Sequence, residues 1–383
     1  MDRPQMPRRR PRVHCELGPV LINRTAVYKL CTTLPGALAE RGFRVHCSAL
    51  LARVSPQNAE PQTPWDRRLC ELSKRWLTRA IERPRVFNRT RLASGILPRW
   101  RHQRGVSLFL DPLYTLFYGA PRDGVVMVYD LTTVTQPAWH HAHVSSLYEI
   151  ALDSLALGAC QFVATCQRTA DELRANWGIP PQRITVLSLG LFPSHVPPEK
   201  QLAPTRPPFL LFVGNLEARK NVSGLIRAFA LSNVYATHGI RLRIIGSLPP
   251  DDHPTLTLAR STAGVEVAGF VPDAELAQAY ERCRAFVYPS YCEGFGLPLL
   301  EAMHRGCVCL ATSLGASPDI AGDAAIYVDP YAIEDIAAGL RQIVALAPEE
   351  RERLAARARE RSLTFTWERF YDGLSQVLLR EAA

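Results

Sequence analysis

The sequence predicts an α/β protein made of two doubly wound domains that face one another across a central cleft. Three observations lead to this fold class. The chain has 383 residues, which is enough for two domains. Apolar runs of four to six residues alternate with helical patterns, an arrangement typical of βαβ units on a parallel sheet. A proline-dense segment, 191–208, divides the chain near its middle, and it cannot extend a helix or a central strand.

The first predicted domain covers residues 13–190 and follows a short basic tail at 1–12. Its elements are expected in this order: strand 13–17, helix 26–41, strands 106–110, 125–129 and 162–165, helix 169–177 and strand 184–187. Gly42 and Gly178 stand where the two helices should end, because glycine readily adopts the left-handed conformation of a helix C-terminus.

The second predicted domain covers residues 209–365, and its alternation of strands and helices is clearer. The expected strands are 209–213, 242–246, 265–268, 285–288, 308–312 and 325–328, and the expected helices include 273–282, 297–305 and 333–346. A last helix, 366–383, could return to the first domain. Because ligands of doubly wound sheets bind at the carboxyl ends of the strands, the cleft between the domains is the expected site.

The composition is that of a globular protein, with 47% hydrophobic and 21% charged residues. No apolar run is long enough to span a bilayer, and the arginines near the N-terminus do not precede the apolar stretch of a secretory signal. The ten cysteines form no CxxC pair, which favours a reducing compartment. We therefore expect a cytoplasmic protein, which could associate peripherally with the inner face of the membrane.

The net charge of +9 is distributed unevenly along the chain. Residues 205–383 contain 18 Lys/Arg and 21 Asp/Glu, a net charge of −3, which leaves +12 for residues 1–204. This asymmetry indicates an anionic partner for the N-terminal half, such as phosphate, anionic lipid or nucleic acid.

A first candidate site follows the strand 209–213. The sequence there reads Gly214-Asn215-Leu-Glu-Ala-Arg219-Lys220 and then begins a helix. Gly214 allows a tight turn, and the two cations lie near a helix N-terminus, whose free N–H groups favour anions. Together these groups would suit a diphosphate, although two solvated charges in a loop would explain the same residues.

A second candidate site follows the strand 285–288. It reads Glu293-Gly294-Phe295-Gly296-Leu297-Pro298-Leu-Leu-Glu301. The glycines leave backbone N–H groups accessible, and proline suits the first turn of a helix. Glu301 is expected in that turn, where a carboxylate can accept hydrogen bonds from two vicinal hydroxyls, as acidic residues do for ribose. Glu293 is expected at the loop tip, in position to meet sugar hydroxyls. For Glu301 alone, a charge that complements the helix dipole is the simpler explanation.

These two motifs make residues 209–330 similar to the retaining GT-B glycosyltransferases of the large family four, the glycosyl transferases group 1. The spacing of the two glutamates, with seven residues between them, is a specific mark of that family. The resemblance includes the segment SLGASPDIAGDAAIYVDP at 313–330, and it continues more weakly into 125–131 and 162–173 of the N-terminal half. Bacterial polysaccharide mannosyltransferases of this type are similar.

The resemblance implies a retaining, metal-independent hexosyltransferase that uses a nucleotide-diphosphate sugar as co-substrate and needs no cofactor. Lys220 would hold the donor diphosphate with Arg219 beside it, Glu301 the donor ribose, and Glu293 the transferred sugar. The other residues expected to line the donor site are Gly214, Asn215, Gly294, Phe295, Gly296 and Leu297. GDP-mannose is the favoured donor, and the acceptor would be a glycan or a lipid-linked chain in cell-surface polysaccharide or lipopolysaccharide synthesis.

The sequence departs from the family pattern at several positions. Asn215 stands where the family often has arginine, and Pro318-Asp319 where it usually has Pro-Glu. Tyr129 replaces a histidine that usually lies near the sugar, and a phenol cannot carry a proton near neutrality as imidazole does. Tyr129 and Asp130 are nevertheless expected at the catalytic site, with Asp130 orienting the acceptor or the sugar.

The segment 65–104 is strongly basic. Its first part predicts a helix with Trp65, Leu69, Leu72, Trp76 and Ala80 on one face and arginines beside them. A basic amphipathic helix with tryptophan is typical of a membrane-surface element, and a helix packed on the core with a solvated basic face is the alternative. We do not expect nucleic-acid binding, because the sequence shows no recognition module in which aromatic and basic residues are combined.

His140, His141 and His143 lie close together, but no carboxylate or cysteine accompanies them as a metal ligand, so no metal site is expected.

Two other functions stay open at this point. A non-catalytic nucleotide-sugar binding protein would explain Asn215 and Tyr129. A GT-B epimerase or phosphorylase would require Tyr129 and Asp130 to act as acid and base. The donor base and sugar, the acceptor, the linkage and the oligomeric state are not determined by the sequence.

Overall fold

The computed structural model describes residues 10–21, 26–82, 105–118, 124–191 and 209–382, excluding the side chains of residues 26 and 80–82. The chain divides into two compact units, one formed by Met1–Ser188 together with Glu368–Ala383, and the other by Leu189–Trp367. Most of the predicted tail 1–12, nearly all of the predicted linker 191–208, and residues 83–104 of the predicted basic segment lie outside the described residues.

The first unit contains a seven-stranded sheet in the order β3-β2-β1-β4-β5-β6-β7. All neighbours are parallel except β2 and β3, which are antiparallel. The strands are β1 Arg12–Glu16, β2 Arg44–Ala49, β3 Ala52–Val54, β4 Val106–Phe109, β5 Val125–Val128, β6 Gln161–Ala164 and β7 Ile184–Val186. Every residue of β4 and β5 is buried, as expected of central strands covered on both faces.

Helices cover this sheet and close its core. The α-helices are Ala26–Glu40, Pro64–Glu82, Thr132–Thr135, Ala142–Ala156, Gln167–Trp177 and Trp367–Ala382, and the 3₁₀ turns include Gly18–Leu21 and Pro112–Tyr118. Apolar side chains such as Phe109, Leu152 and Phe162 pack together between strands and helices. Burial of this kind supplies the main stabilising term of the unit.

The last helix, Trp367–Ala382, packs on the first unit. Tyr371 Oη lies 3.0 Å from Thr33 Oγ1, and Arg41 Nε donates to Asp372 Oδ1 over 2.8 Å. Gly373 leaves room for Leu187, because a Cβ at this position would come within 2.5 Å of a Leu187 methyl. The chain therefore passes between the units twice.

The helix Pro64–Glu82 forms in the predicted basic segment, but the residues expected on its one apolar face differ in exposure. Leu77 and Ser73 are buried, whereas Trp65 and Leu72 are 65% and 58% exposed. Trp76 makes an edge-on contact with Phe117 at 5.0 Å. The predicted apolar face is therefore divided: Trp65 and Leu72 are exposed, whereas Trp76 contacts the protein. Residues spaced three and four apart can lie on two neighbouring faces of one helix, which allows this division.

The second unit contains a six-stranded parallel sheet in the order β10-β9-β8-β11-β12-β13. The strands are β8 Phe209–Val213, β9 Arg241–Ile245, β10 Val265–Gly269, β11 Ala285–Tyr288, β12 Cys309–Thr312 and β13 Ala325–Val328. The α-helices are Val222–Ser232, Val234–His238, Pro254–Ser261, Asp273–Arg282, Leu297–His304, Ser317–Ala321, Ile333–Ala345 and Pro348–Ser362.

The two ends of the second unit meet at Gly190. A Cβ at this position would lie 2.4 Å from the backbone nitrogen of Trp367, so only glycine fits. Within the described ranges, no helix is long and apolar enough to cross a bilayer.

Candidate active site

The topology of the second sheet creates a crevice at the carboxyl ends of β8 and β11. These strands are neighbours, but the chain runs from β8 outward to β9 and β10 before it returns to β11 on the other side. Loops that follow such a pair of strands diverge, and ligands of open α/β sheets bind between them. Both motifs singled out in the sequence follow these two strands, so the fold brings them to one place.

The loop after β8 is fixed by a buried asparagine. Asn221 lies between the 3₁₀ turn Ala218–Lys220 and the helix Val222–Ser232, and its φ is +54°. Its Nδ2 donates to the carbonyl oxygens of Pro289 and Pro330, over 3.0 and 2.7 Å. One amide group thus connects the loops that follow β8, β11 and β13.

Lys220 points into the crevice and is nearly buried, with 7% of its surface exposed. Its Nζ donates to Glu293 Oε1 at 2.7 Å, to Glu293 Oε2 at 2.9 Å and to Tyr288 Oη at 2.6 Å. The ammonium also lies 4.9 Å from the centre of the Tyr288 ring. Burial lowers the pKa of Lys220, and the neighbouring Glu293 carboxylate acts in the opposite direction.

Arg219 contributes a second cation to the same cluster. Its Nη1 donates to Glu293 Oε2 at 3.1 Å, and its Nε donates to Glu217 Oε2 at 3.0 Å. Asn215 Nδ2 donates to the other oxygen of Glu217 at 3.1 Å. Two cations therefore face two carboxylates, and the more exposed carboxylate, Glu217, belongs to the same loop as Arg219.

Glu293 is buried between the cations, with 5% of its surface exposed. Its backbone oxygen accepts a hydrogen bond from Ala316 N at 3.2 Å, and Gly315 packs against its backbone nitrogen. Burial alone would raise the pKa of its carboxyl, but the charges of Lys220 and Arg219 hold that pKa below its ordinary value. Glu293 does follow β11 in the loop before the glycines, but its side chain is turned inward toward the two cations, and its expected contact with sugar hydroxyls stays a prediction.

The glycine loop leads into the helix Leu297–His304. Gly296 adopts a φ of +85°, a left-handed conformation that favours glycine. Phe295 is buried, and its ring contacts Phe365 edge-on at 6.1 Å. Its backbone is therefore the part that can reach a ligand, as for the glycines beside it.

Glu301 is the fifth residue of this helix, and thus lies one position beyond the first turn in which it was expected. Its Oε2 accepts a hydrogen bond from Tyr280 Oη at 3.0 Å. Tyr280 is buried, and burial followed by the charge of Glu301 raises the pKa of its phenol well above the ordinary value. A neutral hydroxyl therefore holds the carboxylate in place.

Tyr129 and Asp130 follow β5 and belong to the first unit. Asp130 Oδ1 accepts hydrogen bonds from Thr132 N at 3.0 Å and from Thr132 Oγ1 at 2.6 Å, and so forms a local side-chain turn just before the short helix Thr132–Thr135. Burial raises the pKa of Tyr129 well above its ordinary value, which leaves a neutral phenol. The structure thus gives Asp130 a local structural contact, and its expected role in orienting the acceptor or the sugar stays a prediction.

The first unit has its own switch of strand order, between β1 and β4, where two acidic residues were missed in the sequence. Glu16 is buried and accepts hydrogen bonds from Gly18 N and Leu50 N, both at 2.9 Å. Asp111 accepts one from Tyr148 Oη at 2.7 Å, and burial raises its pKa to about 6. An acidic residue at or just beyond the end of a buried strand was the available signal.

Two tyrosines were missed in the C-terminal unit as well. Tyr288 ends β11 and contacts Lys220, while Tyr280 lies on the helix Asp273–Arg282 and contacts Glu301. Both lie within the stretch that resembles the family, but no role was assigned to them, and only the strand order and the packing of that helix reveal their contacts. In the part of the chain that the structure describes, no three His, Cys, Asp or Glu side chains are grouped so that they could hold a metal ion.

The cluster can hold a dianionic group. Lys220 and Arg219 offer N–H donors beside the N-terminus of the helix Val222–Ser232, and the glycine loop adds backbone amides from the other side of the crevice. Glu301 presents a carboxylate suited to hydroxyl groups. Anionic and hydroxyl-bearing parts of one ligand could thus be bound along a single sheet edge.

Comparison with known proteins gives matches to glycosyltransferases. Residues 197–361 match the family model of the glycosyl transferases group 1. Over 258 residues the chain is 28% identical to O-antigen chain mannosyltransferase B of Escherichia coli. The matched region covers 64% of this chain and 67% of that protein. Over 164 residues it is 29% identical to the serotype-specific mannosyltransferase WbdA of Escherichia coli, which covers 42% of this chain and only 20% of that longer protein.

Solved structures with a similar fold include sucrose-phosphate synthase of Thermosynechococcus elongatus, with a TM-score of 0.70 and 18% identity over 97% of this chain and 99% of that one. Another is WaaG, a glycosyltransferase involved in lipopolysaccharide biosynthesis, with a TM-score of 0.64 and 15% identity over 96% of this chain and 99% of that one. At these identities the similarity concerns the fold alone.

Proposed function

We propose that the chain, which has the GT-B fold and matches the glycosyl transferases group 1 over residues 197–361, is a member of that family and transfers mannose from GDP-mannose with retention of configuration. The acceptor in this proposal is a glycan or lipid-linked chain of a cell-surface polysaccharide. The observation that carries the proposal is the cluster of Lys220, Arg219 and Glu293 at the switch of strand order. The similarity to mannosyltransferases named for O-antigen synthesis supports the choice of sugar and acceptor.

In this proposal the donor diphosphate binds Lys220 and Arg219 and takes over part of their contact with Glu293. Both cations lie within 3.1 Å of that carboxylate, so small side-chain rotations can exchange one anion for the other. Glu293, relieved of one partner, then accepts hydrogen bonds from hydroxyls of the transferred sugar. Glu301 binds the donor ribose, oriented by Tyr280.

Cleavage of the glycosidic bond places negative charge on the departing diphosphate and positive charge on the sugar ring. Once they have exchanged Glu293 for the diphosphate, Lys220 and Arg219 stabilise the first of these charges together with the loop amides, and such oriented donors are effective in catalysis. They supply the charge for which other transferases use a divalent ion, so we propose metal-independent transfer. Attack of the acceptor hydroxyl on the same face of the sugar requires no nucleophile from the protein.

A panel of GDP-, UDP- and dTDP-sugars tests the donor, because a ligand that binds only the folded protein raises its melting temperature. GDP-mannose should give the largest rise in the intact chain, and Lys220→Ala and Glu301→Ala should lose both the rise and turnover. Leu231→Ala, an exposed residue at the far end of the helix Val222–Ser232, is the matched control. Unchanged donor affinity in both site variants would overturn the assignment.

Product analysis separates transfer from the other candidate functions. Donor binding without any turnover, including slow hydrolysis, would indicate a nucleotide-sugar binding protein, in line with the structural contact that occupies Asp130. Conversion of the donor alone to an epimer, followed by NMR, would indicate an epimerase.

We further propose a cytoplasmic location at the inner face of the membrane, through the helix Pro64–Glu82. Trp65 and Leu72 are exposed, and Arg68, Arg75 and Arg79 are exposed at positions that share their side of the helix. An apolar and cationic face of this kind suits anionic lipid headgroups. The rest of the proposed segment, 83–104, lies outside the described residues.

Co-sedimentation with vesicles tests this location. The protein should bind vesicles that contain phosphatidylglycerol, and bind less as salt increases, but should not bind pure phosphatidylcholine. Arg68→Glu with Arg75→Glu should abolish binding, whereas Arg341→Glu, an exposed arginine of the second unit, should not. Equal binding by all three proteins would disprove a role of this helix.

A further inference from the structure

Two thiols meet next to the residue that holds Glu301. Cys283 follows the helix Asp273–Arg282 as its C-cap, and Cys307 lies shortly before β12. Their sulfur atoms are 3.7 Å apart, although the residues are 24 positions apart in the chain. The segment between them carries both Glu293 and Glu301. We call Cys283 and Cys307 the thiol pair.

Both members of the thiol pair contact one backbone oxygen. The carbonyl oxygen of Tyr280 lies 3.2 Å from Cys283 Sγ and 3.1 Å from Cys307 Sγ. Carbonyl groups in the last turn of a helix have no partner within the helix, so these S–H groups supply donors for it. The hydroxyl of the same tyrosine donates to Glu301 at 3.0 Å. A single buried residue therefore connects the thiol pair to Glu301.

We propose that the thiol pair is a site of reversible oxidation, at which a small-molecule disulfide such as oxidised glutathione converts the two thiols into a Cys283–Cys307 disulfide. The disulfide weakens binding of the nucleotide sugar through Tyr280 and Glu301. Only this second statement rests on the proposed function, because formation of the bond can be observed without any ligand.

The reaction proceeds in two exchange steps. Cys283 is half-buried and Cys307 is buried, so the reagent reaches Cys283 first. The thiolate of Cys283 attacks one sulfur of oxidised glutathione, forms a mixed disulfide and releases one glutathione thiolate. The thiolate of Cys307 then attacks Cys283 Sγ and displaces the second glutathione. Two protein thiols are oxidised, one glutathione disulfide is reduced, and the two protons from the cysteines end on the two glutathione thiols.

The surroundings of Cys307 favour the reduced form until such a reagent arrives. The hydrogen-bonding contact with Cys283, and then burial, raise the pKa of Cys307 well above its ordinary value. Since the thiolate is the reactive species, direct attack of Cys307 on a reagent in solution is slow. Once Cys283 carries a glutathione, that hydrogen bond is lost and the second step takes place within the protein.

Formation of the bond changes the surroundings of Tyr280. The sulfur atoms must approach from 3.7 Å to the length of a disulfide bond, about 2.05 Å. Both S–H donors to the Tyr280 carbonyl disappear, which leaves that buried oxygen without them. The end of the helix Asp273–Arg282 must shift, and the hydroxyl that holds Glu301 moves with it.

The test uses the full chain, incubated with increasing ratios of oxidised to reduced glutathione and then blocked with iodoacetamide. Peptide mapping without reduction should show a Cys283–Cys307 link, which Cys283→Ser and Cys307→Ser should each abolish. Serine retains a donor for the Tyr280 carbonyl, so both variants should fold. Cys70→Ser, a half-buried cysteine of the first unit, is the control and should retain the link.

GDP-mannose affinity is then measured by calorimetry on the reduced, oxidised and re-reduced protein. Oxidation should weaken binding about fivefold to tenfold, the effect expected from the loss of one hydrogen bond, and reduction should restore it. Mixed disulfides without the intramolecular link would overturn the proposal, and so would a link that leaves affinity unchanged. Failure of the reduced protein to bind GDP-mannose would refute the assigned donor, while the mapped link would still report on the thiol pair.

Discussion

Lys220 Nζ lies 2.7 Å from Glu293 Oε1, although the two residues belong to loops that follow different strands. Both side chains are nearly buried, and each maintains the charged form of the other. A buried ion pair adds little to stability compared with a well-packed apolar pair, but the loss of one partner is costly. The relationship therefore links the stability of the C-terminal unit to the groups proposed to bind the donor.

We predict that Lys220→Met destabilises the protein by about 3 kcal/mol at neutral pH, because it leaves Glu293 with only the partly exposed Arg219 as a cationic partner. The double variant Lys220→Met with Glu293→Gln should recover most of this loss. Urea unfolding at pH 7 measures both. Equal instability of the single and the double variant would show that the pair is not coupled.

The loss in Lys220→Met should also shrink as the pH falls. The pKa of Glu293 is held below its ordinary value in the native protein, so the stability it contributes is present above its ordinary pKa and is lost as pH falls through the lowered one. Without Lys220 that lowering is reduced. The free energies of unfolding of the unsubstituted protein and Lys220→Met, measured as a function of pH, should therefore converge toward acidic pH. A constant difference between them would contradict this reasoning.

We predict that Tyr280→Phe weakens nucleotide-sugar binding about fivefold to tenfold with little change in fold, because Glu301 loses one hydrogen bond. Calorimetric titration with GDP-mannose measures the effect. Tyr327→Phe is the matched control, since its hydroxyl donates to Gly322 O in the same unit but does not contact the crevice residues. Similar losses in the two variants would indicate a general effect of removing a hydroxyl.

Substitution of Asn221 should destabilise the protein for two reasons that can be separated. Asn221→Ala removes two buried hydrogen bonds, worth about 1 kcal/mol each, and leaves a residue with a side chain in the left-handed region, at about 1 kcal/mol more. Asn221→Gly should lose only the first contribution. Asn233→Ala, at a φ of +58° on the surface, provides the conformational cost by itself. If urea unfolding showed that Asn221→Ala destabilises the protein no more than Asn233→Ala does, the two hydrogen bonds of the Asn221 amide would contribute nothing to stability.

Asp111 should make the stability of the protein decrease between about pH 4 and pH 6. Burial raises its pKa to about 6, so the folded state binds its proton more tightly than the unfolded state. The stabilisation is fully present below the pKa that Asp111 has in the unfolded chain, and it is lost as pH rises through the pKa of Asp111 in the folded protein. The free energy of unfolding should change by about 3 kcal/mol over this range. Asp111→Asn should remove it. Thermal unfolding of both proteins across pH 4–7 measures the difference, with Asp171→Asn, an exposed aspartate, as control.

Much of the C-terminal unit could be predicted from the sequence. The bounds of β8, β11 and β13 agree with the expected ones, because each strand is a short apolar run between glycine, proline or polar residues. By contrast, β2 was missed. Its sequence RVHCSA places an arginine and a histidine at its exposed end, so no continuous apolar run marks the strand.

The composition of the site was easier to predict than its contacts. Lys220 and Glu293 could be chosen from local motifs, but their direct contact depends on β8 and β11 being neighbours, which no local pattern states. Glu301 was chosen in the same way, and its partner Tyr280 lies on a helix with no motif of its own. In the N-terminal unit, Glu16 and Asp111 gave no periodic signal. Their importance follows from the order of strands around them.

The close approach of Gly190 to Trp367 has a consequence for how the protein can be divided. The C-terminal unit begins and ends at adjacent points, so it is in effect a module inserted into the N-terminal unit. Modules whose ends lie together can often be excised or permuted. A gene fragment for Leu189–Trp367 would encode the donor-side unit as one uninterrupted piece. Its counterpart would need Glu368–Ala383 supplied as a separate peptide or joined by a short linker to Ser188.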